Sequence, residues 1–499
     1  MRREFAAVLC AVALLLSGCQ GVGLGTENST TPTERETPGE VASQPADGAE
    51  TETATAANAT DRQRVPPDPD TDRLGWEGGY WHNESLAVTN ADGLNESELD
   101  AVVNRSMARV EYVRGLEFDE PVPVDTRSRA DYRNRTTGGS YGEAFRTFDN
   151  AKFEALFLIG EREGSIETQE QTLGSSVAGY YSPAEDAIVI VTDSETPRIS
   201  EGTLGHELVH ALQDQQFGLD GSANTRDAVQ GRNSLIEGDA RTVDSEYTER
   251  CGAQWECATT GGSGGGGQPA HWGVYFMLYF PYSDGSAFVS DLRAQGGWAA
   301  VDDAYADVPE GAREVMNSSD YAAWEPRQVS IPETPGEDWD RVRPSTDRGR
   351  PDYATVGPSA IAAGMVYTLY DGYNRSSVID RAQFFNTDGL AGINRSDPFN
   401  YALPGTQGWD GGRMHVYTDG NESGYVWRTT WTDNASAERF ASSWQRVVAH
   451  WGGSRTDDGN WVIDPESPFA DAVAVHVEGD TVTVVNAPTE AELSELYDA

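Results

Sequence analysis

The five residues His206-Glu207-Leu208-Val209-His210 restrict what this chain can fold into more than any other stretch. Residues four apart on an α-helix stand one above the other on one face, so the two imidazoles of H-E-x-x-H reach one ion only if the segment is helical. The flanks agree. Leu204, Leu208, Ala211 and Leu212 form an apolar stripe, roughly 200° around the helix from the face that carries His206. Gly218 after Phe217 supplies a helix end. The expectation is a helix that buries one side and offers the other to an ion, with Glu207 placed to meet a water there.

The surroundings extend the pattern. Val177–Tyr181 and Ala187–Thr192 are strand-like runs separated by the turn residues Ser182 to Asp186, which reads as a hairpin. Downstream, Ile236, Ala240, Val243 and Tyr247 repeat at helical spacing and put Glu237 on the flank of a second helix. Two histidines do not complete a catalytic zinc site, which takes three protein ligands and leaves one position for water. Glu237, 27 residues after His210 (237 − 210), is the candidate third ligand, and Glu246 and Glu249 on the same helix are alternatives.

Together these residues resemble the gluzincin group of zinc metallopeptidases, in which H-E-x-x-H on one helix is joined by a Glu from a following helix. The resemblance covers Val177 to Tyr247 and is specific at Gly205 to Gln215 and at Glu237 to Ala240. It implies one Zn2+ per chain bound by His206, His210 and Glu237. It also implies Glu207 as the catalytic carboxylate and a peptide or protein substrate. In several members the residue four after the third ligand is an acid supporting a histidine. Here it is Arg241, which leaves Asp239, Asp244 or Asp214 for that role. In zinc peptidases of this design an edge strand pairs with extended substrate, and order along the chain assigns that to Ala187–Thr192. A donor for the developing oxyanion is sought among His271, Tyr275 and Tyr282, although each also reads as plain aromatic core.

The N-terminus sets the compartment. Arg2 and Arg3 precede an apolar run, Phe5–Leu16, too short to span a bilayer. Leu16-Ser17-Gly18-Cys19 resembles the lipobox of prokaryotic lipoproteins, which implies cleavage before Cys19 and a lipid on its thiol. The protein is then exported and anchored to the outer face of the cytoplasmic membrane. Residues 20–74 hold almost no large apolar side chain, the composition of a disordered tether. Cys10 leaves with the signal, so Cys251 and Cys257 remain to form a disulfide outside the cell. Sequons from Asn28 to Asn434 fit a glycosylated surface. The net charge is −45, with Lys152 the only lysine, which argues against nucleic acid as a partner. The acids are spread through every segment, a pattern suited to high salt. The chain as a whole resembles a family of haloarchaeal surface lipoproteins that carry this motif and have no assigned activity.

The fold class expected is α+β. Residues 1–18 are a signal peptide, 19–75 a lipidated tether, and 76–165 an N-terminal α+β region. Residues 166–330 are a zincin-like catalytic domain and 331–499 a C-terminal α+β module with its own core. In the first region Asn95-Glu96-Ser97-Glu98 caps a helix and Pro121–Val124 reads as an edge strand. Gly261–Gly267 is a flexible tract suited to a loop over the site. His82, His415, His450 and His476 form no ligand pattern. The functional expectation is a zinc-dependent peptidase. The competing class is a non-catalytic surface protein serving binding or envelope organisation, against which Glu207 counts, since a structural site needs no such carboxylate.

Overall fold

The computed structural model describes residues 65–497 except 89–91, 137–140, 175–176, 220, 222, 259–267, 334, 347–348, 374, 388 and 390–391. The signal peptide, Cys19, most of the tether and the Gly261–Gly267 tract lie outside the described residues.

A short hairpin, β1 (Trp76–Glu77) and β2 (Tyr80–Trp81), precedes helix α1 (Glu96–Arg114). The helix starts where its capping residues place it. The Asn95 side chain accepts from the Glu98 N–H, and the Glu98 carboxylate accepts from the Asn95 N–H, satisfying two donors that a helix start leaves over. It stops at Gly115, whose φ of 80° suits a residue without Cβ.

Strand β3 (Val124–Arg127) is followed by α2 (Arg129–Thr136), α3 (Glu143–Glu154) and α4 (Ser165–Gly174). The expected hairpin is β4 (Gly179–Ser182) with β5 (Ala187–Val191). The three strands order β3-β5-β4, with β3 parallel to β5. Every β5 residue in the run Ala-Ile-Val-Ile-Val is buried, as befits a central strand covered on both faces. Helix α5 (Glu201–Phe217) packs between this sheet and α1, where Leu204, Leu208 and Leu212 meet Ile188, Ile190, Val102 and Met107.

Next come α6 (Arg226–Arg250) and α7 (Trp272–Gly296), two long helices that run parallel. Three contacts share one offset of 47 residues: Gln230 to Met277, Gly238 to Gly285, and Glu246 to Arg293. Helix α7 runs unbroken through the aromatic residues Tyr275 and Tyr282 to Gly296, with Pro281 inside. The missing N–H of Pro281 is outweighed by the burial of Phe276, Met277, Phe280, Phe288 and Val289.

The remaining elements are α8 (Trp298–Ala304), α9 (Ala312–Met316), β6 (Asp340–Arg341), α10 (Pro358–Tyr367) and α11 (Arg381–Phe384). They continue through β7 (Trp409–Thr418), β8 (Ser423–Trp431), α12 (Asn434–His450), β9 (Gly453–Arg455) and β10 (Trp461–Ile463). The last are β11 (Ala472–Glu478), β12 (Thr481–Ala487) and α13 (Glu490–Leu496). The strands form an antiparallel sheet in the order β6-β7-β8-β12-β11-β10-β9. Alternation separates its faces: Val485, Ala487 and Val426 pack with α13, while Val482, Val484 and Trp427 pack with Phe440 and Trp444 of α12.

The second face corrects the expectation that 331–499 has a core entirely its own. Its cluster continues through Phe280, Leu156 and Phe148, all outside residues 331–499. Two helices divide that face of the sheet between them. Helix α12 lies over β8 to β9, and α3 covers β7 and β8. The chain is thus α+β, and one core cluster joins the seven-stranded sheet to α3, α7 and α10. Among the described residues no helix is long and apolar enough to cross a membrane.

Candidate metal centre

Helix α5 begins with Ser200, whose side chain accepts from the Thr203 N–H (3.1 Å), and ends at Gly218. The expected open side is absent: the helix is enclosed from Thr203 to Gln213. The His206 and His210 rings stand edge to face with centroids 4.8 Å apart. From α6, Glu237 Oε2 reaches 3.5 Å from His206 Nε2 and 3.4 Å from His210 Nε2. His206, His210 and Glu237 are 2%, 1% and 4% exposed.

These separations are too long for charge-assisted hydrogen bonds, which run about 2.7–2.9 Å. They match the spacing of about 3.3–3.4 Å between two ligands held tetrahedrally about 2.05 Å from one ion. His206 Nε2, His210 Nε2 and Glu237 Oε2 have no hydrogen-bond partner among the described residues. Leaving buried polar atoms unpaired costs on the order of 1–3 kcal/mol each, so a convergence of three calls for a ligand. Two imidazole nitrogens and one carboxylate oxygen form a donor set that suits zinc.

The tautomer of His210 follows from its neighbour. Gln213 Nε2 donates to the Ile236 carbonyl (2.9 Å), and a carbonyl can only accept. The amide oxygen therefore faces His210 Nδ1 (2.9 Å), which must carry the proton. That leaves the Nε2 lone pair directed to the ion position. Sequence reasoning missed Gln213, although its place three residues after His210 on the same helix face was a usable signal.

The carboxylates expected in that supporting role are engaged elsewhere. Asp214 accepts from the Tyr181 hydroxyl (2.9 Å) and the Leu219 N–H (2.7 Å). Asp239 accepts from Arg114 Nε (2.9 Å) and the Tyr305 hydroxyl (2.9 Å), while Asp244 meets Thr248 (3.4 Å). Of the alternative third ligands, Glu246 pairs with Arg293 (2.8 Å) and Glu249 is exposed.

The setting of Glu237 has a packing cause. A Cβ on Gly238 would collide with the Gly285 carbonyl, and one on Gly285 with the Ser234 carbonyl. The paired glycines let α6 and α7 close on each other beside the ligand. Arg114 holds the next turn, bonding Asp239 and Asp302 (2.6 Å) with its guanidinium over Trp298. A second anchor, also unforeseen, fixes the start of α5. Buried Glu201 accepts from Arg105 (2.9 Å), Arg109 (2.7 Å), the Tyr247 hydroxyl (3.0 Å) and the Ala258 N–H. Beside it, Cys251 and Cys257 are disulfide-bonded.

Glu207 is fully buried. Its Oε2 accepts from the Tyr181 N–H (2.8 Å), and its Oε1 has no partner among the described residues. Burial raises its carboxyl to about 7 against the pull of His206 and His210. Burial also pushes His210 down, but the Glu237 charge outweighs it and holds the imidazolium up at about 9. Burial works against the Glu237 carboxylate as well, and His210 and His206 overcome it, holding it at about 2.

Tyr181 belongs to β4, and this corrects the assignment of the edge strand. Ala187–Thr192 is not an edge, because β5 is paired with β3 on one side and β4 on the other. The outer strand beside α5 is β4. The three proposed oxyanion donors all pack in the aromatic cluster of α7. His271 caps that helix and rests on Tyr367, Tyr275 lies against Trp272 and Tyr279, and Tyr282 lies against Tyr279. The 47-residue register sets Tyr282 level with Leu235 (282 − 47), the closest of the three to Glu237 along the helix axis.

A domain of unknown function, DUF8575, matches residues 341–497, which contain the seven-stranded sheet and none of the metal-ligand candidates. No curated protein and no solved structure matches the chain.

Proposed function

We propose that this protein is a zinc-dependent metallohydrolase that cleaves peptide bonds, with a zincin-like, gluzincin-type site, exported and held at the outer face of the cytoplasmic membrane by a lipid on Cys19. The observation that carries this reading is the convergence of three buried, unpartnered ligand atoms, with Glu237 Oε2 at 3.4–3.5 Å from the two histidine nitrogens and a second carboxylate, Glu207, on the same helix as the histidines. A hairpin ahead of the H-E-x-x-H helix and a third ligand from the next helix support the zincin-like reading.

His206, His210 and Glu237 would hold the ion, which when bound supplies a Lewis acid for the scissile carbonyl and lowers the pKa of water to about 7. Glu207 does the proton work. The Tyr181 N–H holds Oε2, so Oε1 takes the proton of the attacking water and returns it to the leaving amine. Strand β4 is the outer strand beside Glu207, and an extended peptide pairing with the part of its edge that the Tyr181 N–H does not use would be held without regard to its sequence.

Burial of all four side chains favours a second reading, in which the site is a closed structural centre of a surface protein. One set of measurements separates the two. Bound zinc and hydrolysis of an unfolded protein substrate are measured in high salt for wild type, Glu207→Gln and His206→Ala. The peptidase requires hydrolysis by wild type, zinc with no hydrolysis in Glu207→Gln, and loss of both in His206→Ala. Zinc without hydrolysis in wild type selects the structural centre, and wild type that binds no zinc sinks both.

A further inference from the structure

A second convergence of acids lies far along the chain from the H-E-x-x-H helix. Glu154 ends α3, Glu161 follows one turn later, and Asp471 leads into β11; their carboxylate oxygens lie within 4.8 Å of one another. Glu154 and Asp471 are each 7% exposed, while Glu161 sits at the surface. Glu154 shares a hydrogen bond with Asp471 and feels the acids Asp471, Glu161 and Glu422, while Glu161 meets the Arg162 charge and the Ala470 N–H. Burying like charges together is strongly unfavourable unless something positive joins them.

Asn486 gives an independent sign of a ligand. It alternates with Val485 and Ala487 along β12, so it shares the sheet face of Val482 and Val484, the face that α3 and α12 cover. It is 3% exposed, and its carboxamide meets Asp471 through Nδ2 (2.9 Å). Its Oδ1 is buried with no hydrogen-bond partner among the described residues. The backbone is already docked here: the Glu161 N–H donates to the Pro468 carbonyl (3.1 Å), and a Cβ on Gly160 would come within 2.6 Å of that oxygen.

We propose that Glu154, Glu161, Asp471 and Asn486 bind a divalent cation of the calcium class, which ties the loop before β11 to the turn after α3. All four offer oxygen only, the donor set of a hard cation and unlike the nitrogen-bearing triad. Two ligands of one calcium, each at about 2.3–2.6 Å, stand up to about 5 Å apart, whereas magnesium at about 2.1 Å allows only about 4.2 Å. The three acid oxygens, all within 4.8 Å of one another, lie inside the calcium limit. The site joins the C-terminal sheet to the first half of the chain where they share a core, and it does not depend on the zinc reading.

The test uses the full chain at constant high potassium chloride, stripped with a chelator and then given calcium or magnesium chloride alone. Calcium at millimolar concentration should raise the wild-type Tm by roughly 2–5 °C, and titration should show one site per chain above the diffuse surface background. Glu161→Gln, at the surface, should keep the chelated Tm of wild type while weakening calcium at least tenfold. Asp471→Asn should abolish the calcium shift, and His206→Ala should leave it intact. No calcium shift in wild type overturns the proposal in favour of a proton shared between Glu154 and Asp471. A full shift retained in Glu161→Gln overturns it in favour of counterions on the acidic surface, and a larger shift with magnesium overturns the assignment to calcium.

Discussion

His210 and Gln213 lie one helical turn apart on α5, joined from Nδ1 to Oε1 at 2.9 Å, and the far end of the Gln213 amide is held by the Ile236 carbonyl next to Glu237. One side chain therefore orients a histidine on one helix by reference to the backbone of the helix that carries the third ligand. Gln213→Leu keeps the volume and removes both bonds. Zinc affinity should fall about 10–100-fold with stoichiometry unchanged, as losses of such supporting contacts do. Competition against a chromophoric chelator measures it, and wild-type affinity would show the contact to be incidental.

Gly238→Ala should be severe and Gly205→Ala mild, although both are helical glycines next to candidate metal ligands. A Cβ at Gly238 collides with the backbone of α7, which cannot move without separating two 25-residue helices. A Cβ at Gly205 would meet the Tyr247 ring at 3.4 Å, an ordinary contact. The expected cost is about 2–4 kcal/mol for Gly238→Ala and under about 1 kcal/mol for Gly205→Ala. Thermal unfolding checks the order, and zinc stoichiometry should fall only in Gly238→Ala.

Glu201→Gln should destabilise by about 3–5 kcal/mol, because it leaves the buried guanidinium groups of Arg105 and Arg109 without their shared counter-charge. Salt should not restore it, since the network is out of reach of mobile ions. The exposed pair Arg146–Glu167 is the control: Glu167→Gln should leave the melting curve where it is. Denaturant unfolding at two salt concentrations distinguishes the cases.

The acids Glu77 and Glu111 predict a pH dependence. Glu111 accepts from the N–H groups of Gly75 (2.8 Å) and Phe118 (2.9 Å), and Glu77 shares its buried site. Burial raises Glu77 to about 7 and Glu111 to about 9. Both folded values lie above the unfolded value of about 4.3, so this contribution is complete below that pH and is lost as pH rises through 7 and then 9. Glu77→Gln should match wild type near pH 4 and be more stable at pH 9, by roughly 1–3 kcal/mol. Melting curves at pH 4, 6 and 9 give the difference. A variant less stable than wild type at pH 9 would contradict the sign.

Local patterns were readable from the residues alone. The capping pair Asn95 and Glu98, the hairpin around Ser182–Asp186 and the end of α5 at Gly218 each depend on a few neighbouring residues, and each stands where those residues place it. The helix stripes placed His206, His210 and Glu237 on two helices, because 3.6-residue periodicity is written along the chain. Three misplacements share a different character. Ala187–Val191 is central and not an edge because β3, some sixty residues earlier, pairs with it. Gln213 took the supporting role sought for Asp214, Asp239 and Asp244 because the Ile236 carbonyl lies at its far end. The C-terminal sheet shares its core because α3, from far earlier in the chain, covers β7 and β8 beside α12.

The sequence by itself determined which side chains could serve an ion and that they must be carried on helices, since spacing along a helix is a property of the local backbone. Only the tertiary structure decided that Glu237, and not Glu246 or Glu249, meets the histidines. That choice rests on how α6 lies across α5, a crossing marked by Gln213 on the Ile236 carbonyl and by Gly205 against the Tyr247 ring, contacts between residues that are distant along the chain.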